Sequence, residues 1–249
     1  MKYSLVVPYF KTPEITRLCL YSIFKFSRGE AEVIVVDNAP GSAESGMLRE
    51  FKKIKILENS AAPLGSAGNF HALELGVARA SWDLVGLLHS DTVFLREGWD
   101  LECFGRLERD KLAALGTFER ESDPFGSFAK KTKDWLHHLR HDRYPGPEAA
   151  GKLMVHFLLT RRGSLQKTHG LFANRMQDAV PQFLAAGGRV EVLSRLEMSR
   201  ILWHTSNITS LLTGQMDDSK AMARYRERRH RLLADEKIRA AFGPVLPRD

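Results

Sequence analysis

The sequence predicts an α/β fold: a mostly parallel sheet of Rossmann-like βαβ units flanked by helices, with a helical extension at the C-terminal end. Three observations carry this expectation. The first hundred residues alternate short continuous apolar runs with stretches of helical period, the pattern of strands buried on both faces and joined by crossover helices. Two of those runs stop on an acid, at Asp37 and Asp91. Between them a small-residue segment, PLGSAGN (Pro63–Asn69), feeds a helical pattern.

Taken in order, SLVV (4–7) reads as the first strand. Thr12-Pro13-Glu14 then reads as a helix start, with Thr12 as N-cap and Pro13 at the first helical position. That helix carries Ile15, Leu18, Cys19, Ser22 and Ile23 on one face. EVIVV (32–36) is a second strand, ending at Asp37-Asn38 and a turn cluster through Ser42. A polar helix is expected near 43–53, a strand at 54–57, a helix at 66–80 and a strand at 83–88. The second half predicts a helix at 96–109, strands at 112–118 and 153–160, a helix at 175–187 and a strand at 189–193. Residues 119–150, rich in Lys, Arg and His with little periodicity, read as a long surface excursion whose basic residues bind a phosphate or are simply solvated. After Gly214 the segment 217–242 reads as one charged helix.

Composition narrows the class. With 249 residues the chain is long enough for one large domain and a sizeable core. Its 43% hydrophobic and 27% charged residues are those of a globular protein. No apolar run approaches the roughly 20 residues a membrane helix needs. The opening MKYSLVVPYF stops at Pro8 and reads as a core strand rather than a secretory leader. Two cysteines, Cys19 and Cys103, read as buried free thiols of a reducing cytoplasm, and no zinc-type spacing is present. A net charge of +7 and a pI near 9.5 favour anionic partners without choosing among them.

In open parallel sheets ligands sit beyond the carboxyl ends of the strands. This singles out Pro8-Tyr9, Asp37-Asn38, the loop Asn59–Gly68, and His89-Ser90-Asp91. The small residues of Pro63–Asn69 let the backbone approach a bulky anion, and the helix behind them offers free N–H groups; a tight turn is the bland alternative. Asp91, directly after a buried strand, is placed to hold a divalent metal beside a diphosphate, or to cap the next turn. Asp37 has the same two readings, ligand contact or Asx turn.

On these residues the first half resembles the family-2 glycosyltransferases of the GT-A fold. VVPYF resembles the family's opening strand, VIVVDNAPGS its second strand, and NSAAPLGSAGNFHALELGVARASWDLVGLLHSDT its glycine-containing loop, helix and metal-binding strand. The resemblance implies a nucleotide-sugar site made of Pro8, Tyr9, Asp37, Asn38, Gly65, Gly68, Asn69, His89, Ser90 and Asp91, with a UDP-sugar as first choice of donor. It implies a divalent cofactor, Mn2+ or Mg2+. Where the family shows Asp-x-Asp, this chain has His89-Ser90-Asp91. Asp91 keeps the metal-coordinating position, while His89 is either a ligand favouring Mn2+ or a hydrogen-bonding replacement.

Two positions of the second half carry over. Gln177-Asp178 stands where the family has an acidic pair, so Asp178 is the candidate catalytic base; an Asp favoured by the helix dipole is the alternative. His204, closing RLEMSRILWH ahead of a hydroxyl-rich stretch, resembles the late histidine that completes the metal site with Asp91. The implied organisation is one GT-A-like domain over 1–214, with a donor half at 1–100 and an acceptor half at 101–214. Residues 215–249 form a basic helical extension. Its Arg224, Arg226, Arg228, Arg229 and Arg231 are a solvated face or a docking surface for an anionic membrane.

The expected activity is inverting transfer of a sugar from a nucleoside-diphosphate-sugar to an acceptor hydroxyl. The acceptor is a carbohydrate or a lipid-linked glycan, and the setting polysaccharide, lipopolysaccharide or glycolipid synthesis. The expected location is the cytoplasm, or the inner membrane face as a peripheral protein. The alternative is a GT-A module that binds a nucleotide-sugar but has lost catalysis. A dinucleotide oxidoreductase is excluded by Pro8–Thr12 in place of Gly-x-Gly-x-x-Gly. Nucleic-acid binding has only the net charge in its favour.

Overall fold

The computed structural model describes residues 1–63, 65–117, 153–167, 179–205 and 208–242. The excursion 119–150, the start of the helix predicted from 175, and Asp178 lie outside the described residues.

Seven strands form one sheet in the order β3-β2-β1-β4-β7-β6-β8. They are β1 (Lys2–Tyr9), β2 (Glu30–Asp37), β3 (Ile54–Glu58), β4 (Leu84–Leu88), β6 (Leu112–Gly116), β7 (Phe157–Arg161) and β8 (Arg189–Val192). Pairs β1–β2, β2–β3, β1–β4 and β6–β8 are parallel, and β7 runs antiparallel between β4 and β6. The crossover helices are α1 (Pro13–Phe26), α2 (Ser66–Arg79) and α3 (Trp99–Arg109). This is the mostly parallel, helix-flanked sheet that the sequence predicts.

Burial on both faces explains the continuous apolar runs. Along β1 successive side chains point to opposite faces. Leu5 and Val7 join the core beneath α1 and α3, with Leu20, Ile23, Cys103 and Phe104. Val6 joins the opposite core beneath α2, with Ile34, Val36, Ala72 and Leu73. Each fully buried aliphatic side chain contributes about 1.5–3 kcal/mol, so neither face can slip register cheaply. Strand β3 closes one edge, is half exposed and carries Lys55 and Glu58, charges that discourage further strand pairing.

One buried acid locks the base of the N-terminal half. Asp100, at the start of α3, accepts hydrogen bonds from the Tyr3 hydroxyl (2.7 Å) and from the backbone N–H groups of Arg28 (3.0 Å) and Gly29 (2.6 Å). It thereby fixes the α1–β2 turn against β1.

Several boundaries differ from the sequence expectation. Thr12 occupies the N-cap position of α1 but its side chain makes no cap hydrogen bond; its Oγ1 faces Thr16 Oγ1 at 3.3 Å. The helix expected near 43–53 is a 3-10 helix over Ala43–Glu50, in a segment whose Ser45 and Gly46 are weak helix formers. The helix expected from 96 starts at Trp99, behind Gly98, whose N–H is taken by the Phe26 carbonyl (2.8 Å). The strand expected at 153–160 begins only at Phe157, whose N–H turns back to Met154 O (3.3 Å). The stretch before His204, expected to be strand-like, is mostly the helix Arg195–Ile201. A capping box, Ser194 with Glu197, starts it.

The strand-like part is only Leu202–Trp203, β9, which pairs antiparallel with Val93–Phe94, β5, in a separate two-stranded sheet. The long C-terminal helix is two, Ser219–Ala234 and Glu236–Phe242, broken at Asp235. The Asp235 Oδ1 accepts from the N–H groups of Lys237 and Ile238 and so caps the second. These helices are docked on the domain: Tyr225, Leu232, Ile238 and Phe242 pack with Ile15, Leu18, Val93 and Trp203.

Candidate active site

Because β1, β2 and β4 run parallel, their C-terminal ends open on one edge of the sheet, where Tyr9 stands opposite Asp37. A pocket of about 250 Å³ lies there. Of the residues singled out in the sequence, Pro8, Tyr9, Asn38, Gly65, Gly68, Asn69, His89, Ser90 and Asp91 line it together. Asp37 does not. It is buried beside a second recess with Ser42, Arg49 and Glu58, and its Oδ1 accepts from the Ala39 N–H at 2.9 Å, the Asx-turn arrangement.

The floor of the pocket is the loop into α2. Gly65 has φ 67° and ψ −143°, a backbone state that side chains with a Cβ almost never adopt. At Gly68 a Cβ would lie 2.1 Å from the Pro63 carbonyl oxygen. No side chain caps the first turn of α2, which leaves its N–H groups for an anion. Hydrogen bonds hold the loop in place. Asn59 Nδ2 donates to Asn38 Oδ1 (2.7 Å), and Asn38 Nδ2 donates to Gly68 O (3.3 Å). Asn59 was only the edge of a shortlisted loop in the sequence; its positioning role has no local signature.

At one end of the pocket Asp91 meets His204. The β5–β9 ladder sets this meeting: Val93 pairs with Trp203, so the residues flanking the ladder fall side by side. The Nε2 of His204 lies 3.2 Å from Asp91 Oδ1, and the Nδ1 of His89 lies 3.8 Å from the same oxygen. The ligand atoms of the three residues all fall within 4.8 Å of one another. Asp91 Oδ1 is buried, and no aligned hydrogen bond reaches it among the described residues. Behind them His156 stacks flat on His204, ring centroids 4.0 Å apart and planes within 2°. His156 carries no sequence signal beyond its apolar surroundings and was not singled out there.

Burial opposes charge at Asp91, His89 and His156. For Asp91 burial works against ionisation, but His204 first and His89 second hold its carboxyl below the usual carboxylate range. Burial pushes the His89 imidazole down to about 4, against the pull of Asp91. Burial, then His204 and His89, push His156 well below the ordinary histidine value. An ionised carboxylate at Asp91 and a neutral imidazole at His89 are the protonation states in which these two side chains bind a metal cation. The donor set therefore fits a divalent ion.

The pocket wall opposite α2 comes from the C-terminal half: Ile208, Thr209, Ser210 and Gln215. The hydroxyl-rich stretch after His204 was the only sequence hint of this wall. Phe10, Ala62, Pro63 and Ser66 complete the lining; the last three belong to the loop Asn59–Gly68 that the sequence marked, and Phe10 follows Tyr9.

Comparison with known proteins agrees with this architecture. No curated protein matches the chain in sequence. Among solved structures it is similar to the mannosyltransferase PcManGT from Pyrobaculum calidifontis in complex with GDP-Man and Mn2+. The TM-score is 0.62 and the identity 14%, over 98% of this chain and 67% of that one. It is also similar to residues 1–349 of S. aureus TarS in complex with UDP, with TM-score 0.57 and 14% identity, over 99% of this chain and 70% of that one. At such identities the likeness speaks for the GT-A fold. The model of the family "Glycosyl transferase family 2" matches residues 4–168, well over half the chain, and with most of the strand-end pocket's lining in the same segment the chain belongs to glycosyl transferase family 2.

Proposed function

We propose that this glycosyltransferase is inverting, and that it moves a sugar from a nucleoside-diphosphate-sugar to the hydroxyl of a carbohydrate or lipid-linked acceptor. The observation that carries the reading is the convergence on one pocket of an uncapped helix start, a glycine floor and Asp91, which pairs with His204 behind it. The GDP-Man and UDP bound by the two similar structures support a nucleotide-sugar donor, and the Mn2+ of the first supports a metal.

In this reading the first turn of α2 and the Gly65–Asn69 backbone receive the diphosphate. Asp91 and His204 hold a divalent ion, Mn2+ or Mg2+, which offsets the charge of the leaving nucleoside diphosphate. Tyr9, Pro8 and Asn38 flank the nucleoside, and Asp37 supports that wall through its turn rather than by reaching into the pocket. Asp178 takes the proton from the acceptor hydroxyl as its oxygen attacks the anomeric carbon and the donor's glycosidic C–O bond breaks. The acceptor half, 101–214, supplies the other wall. The pathway is polysaccharide, lipopolysaccharide or glycolipid synthesis. The enzyme works in the cytoplasm, where the basic helix Ser219–Ala234 meets the anionic inner face of the membrane.

A screen of UDP, GDP and their sugars by thermal shift with Mn2+ tests the donor site. A rise in melting temperature with one nucleotide is expected; no rise with any, with or without metal, refutes it. The replacement of the family's first acid by His89 favours a second reading, a binding module without turnover. Slow donor hydrolysis in Mn2+ separates the two, because only a competent site passes the sugar to water.

A further inference from the structure

We propose that this chain grips its metal with three side chains, His89 Nδ1, Asp91 Oδ1 and His204 Nε2, a two-histidine, one-carboxylate set that selects a transition-metal ion over Mg2+. The inference rests on the metal reading above and adds to it a ligand, a selectivity and a timing.

Geometry supplies the first argument. Bonds of about 2.0–2.2 Å to nitrogen and oxygen place neighbouring ligand atoms about 3–4 Å from one another. The carboxylate oxygen is 3.2 Å from one imidazole nitrogen and 3.8 Å from the other, and all three ligand atoms are within 4.8 Å. Two of the three residues, His89 and Asp91, also line the pocket.

The second argument is how the rings are held. A ligating histidine needs its other ring nitrogen occupied by a hydrogen-bond partner that fixes the tautomer. The Nε2 of His89 lies 3.3 Å from the side-chain amide of Asn69. The two ends of that amide are interchangeable in shape. With its oxygen toward the ring, Nε2–H donates and the Nδ1 lone pair faces Asp91. The ring of His204 is held in place by the parallel His156 ring 4.0 Å behind it. Both devices lie in the folded chain, so the grip exists before any nucleotide arrives.

Chemistry gives the selectivity. Mg2+ prefers an all-oxygen octahedron and keeps its waters. Imidazole nitrogen suits first-row transition ions, whose affinity for such sites rises from Mn2+ through Co2+. Two imidazoles and one carboxylate therefore rank Co2+ above Mn2+ and Mn2+ far above Mg2+.

The test uses the full chain without nucleotide, titrated with Mn2+, Co2+ and Mg2+ by calorimetry, and pulsed electron paramagnetic resonance of bound Mn2+ to count imidazole nitrogens. The expected result is two imidazole nitrogens in the wild type, and binding in the order Co2+, Mn2+, Mg2+. In His89→Ala one nitrogen is lost and Mn2+ binding weakens by at least about tenfold, the lower bound for losing even an orienting partner. In His89→Asp, which keeps a ligand there, the discrimination against Mg2+ shrinks. A single nitrogen in the wild type overturns the proposal and leaves the Asp91–His204 site standing, as does unchanged Mn2+ affinity in His89→Ala. Absence of Mn2+ binding by the wild type, with and without UDP or GDP, overturns both this proposal and the metal reading beneath it.

Discussion

Replacing Gly68 by Ala should damage donor binding more than it damages the fold. The added Cβ would stand 2.1 Å from the Pro63 carbonyl oxygen, a backbone atom that cannot swing aside like a side-chain tip. Ordinary contact begins near 3.4 Å, so the Pro63 peptide must retreat by about 1.3 Å, from 2.1 to 3.4 Å. Forced overpacking of this kind costs about 1–3 kcal/mol, and here the strain falls on the loop that floors the pocket. If the loop shift is spent on the bound state, affinity for UDP or GDP drops by about 5- to 150-fold, at 1.4 kcal/mol per tenfold. The Gly68 carbonyl also loses its alignment with Asn38 Nδ2 (3.3 Å). Calorimetric titration with Mn2+ and the preferred nucleotide measures the loss, and thermal melting checks the fold. Gly105→Ala is the control. Nothing lies within 4 Å of its added Cβ, and in the interior of α3 the change should stabilise by about 0.5–1 kcal/mol. A Gly68→Ala protein that binds nucleotide as tightly as wild type would refute the reasoning.

Other outcomes follow from the same geometry. Asp91→Asn keeps the size of the side chain but removes its charge, and should abolish both Mn2+ binding and metal-dependent transfer; retained activity in saturating Mn2+ would remove Asp91 from its role. In Asp178→Asn turnover should fall at least about 100-fold, the usual share of a general base, with nucleotide affinity unchanged; a loss of affinity instead would argue for a binding role. His156 is held neutral, so the unfolded chain takes up a proton at its ordinary value near 6.5 that the folded chain refuses until far lower pH. Stability measured in EDTA should be full above pH 6.5 and decline below it, by up to about 1.4 kcal/mol per pH unit from this group. His156→Phe should flatten that decline, and an unchanged profile would contradict the assignment. Leu232→Ala, at a fully buried contact of the C-terminal helix, should cost about 2–5 kcal/mol by denaturant titration; less than about 1 kcal/mol would mean the helix is not part of the domain's core.

The N-terminal half was legible because its signals are local. SLVV and EVIVV are continuous because both faces of β1 and β2 are covered, and the acids and glycines that end such strands are written beside them. Asp37 shows the limit of that logic: a strand-end acid is equally suited to a turn, and its Oδ1 is engaged with the Ala39 N–H. The stretch before His204 shows another. Its apolar spacing fits a strand or a helix, and only the reciprocal bonds of Ser194 and Glu197 decide for the helix. The stacking of His156 on His204 and the wall at Thr209 and Ser210 come from packing between distant segments, which no periodicity records. The C-terminal arginines read as an appendage because charge dominates the segment, while the few apolar residues between them are what dock it. One of them, Arg229, is also paired with Glu14 at the start of α1.

The β5–β9 ladder has a consequence for how the enzyme is made. It joins Val93 to Trp203, residues from opposite halves of the chain. A nascent polypeptide emerging from the ribosome can assemble β1 to β4 and the glycine floor long before His204 has been translated. In the three-ligand reading proposed above, such a half-made chain carries the glycine floor, His89 and Asp91 but lacks His204, the ligand that comes from the late segment. On that reading transfer competence waits until nearly the whole domain exists, and truncated products of synthesis are barred from consuming donor.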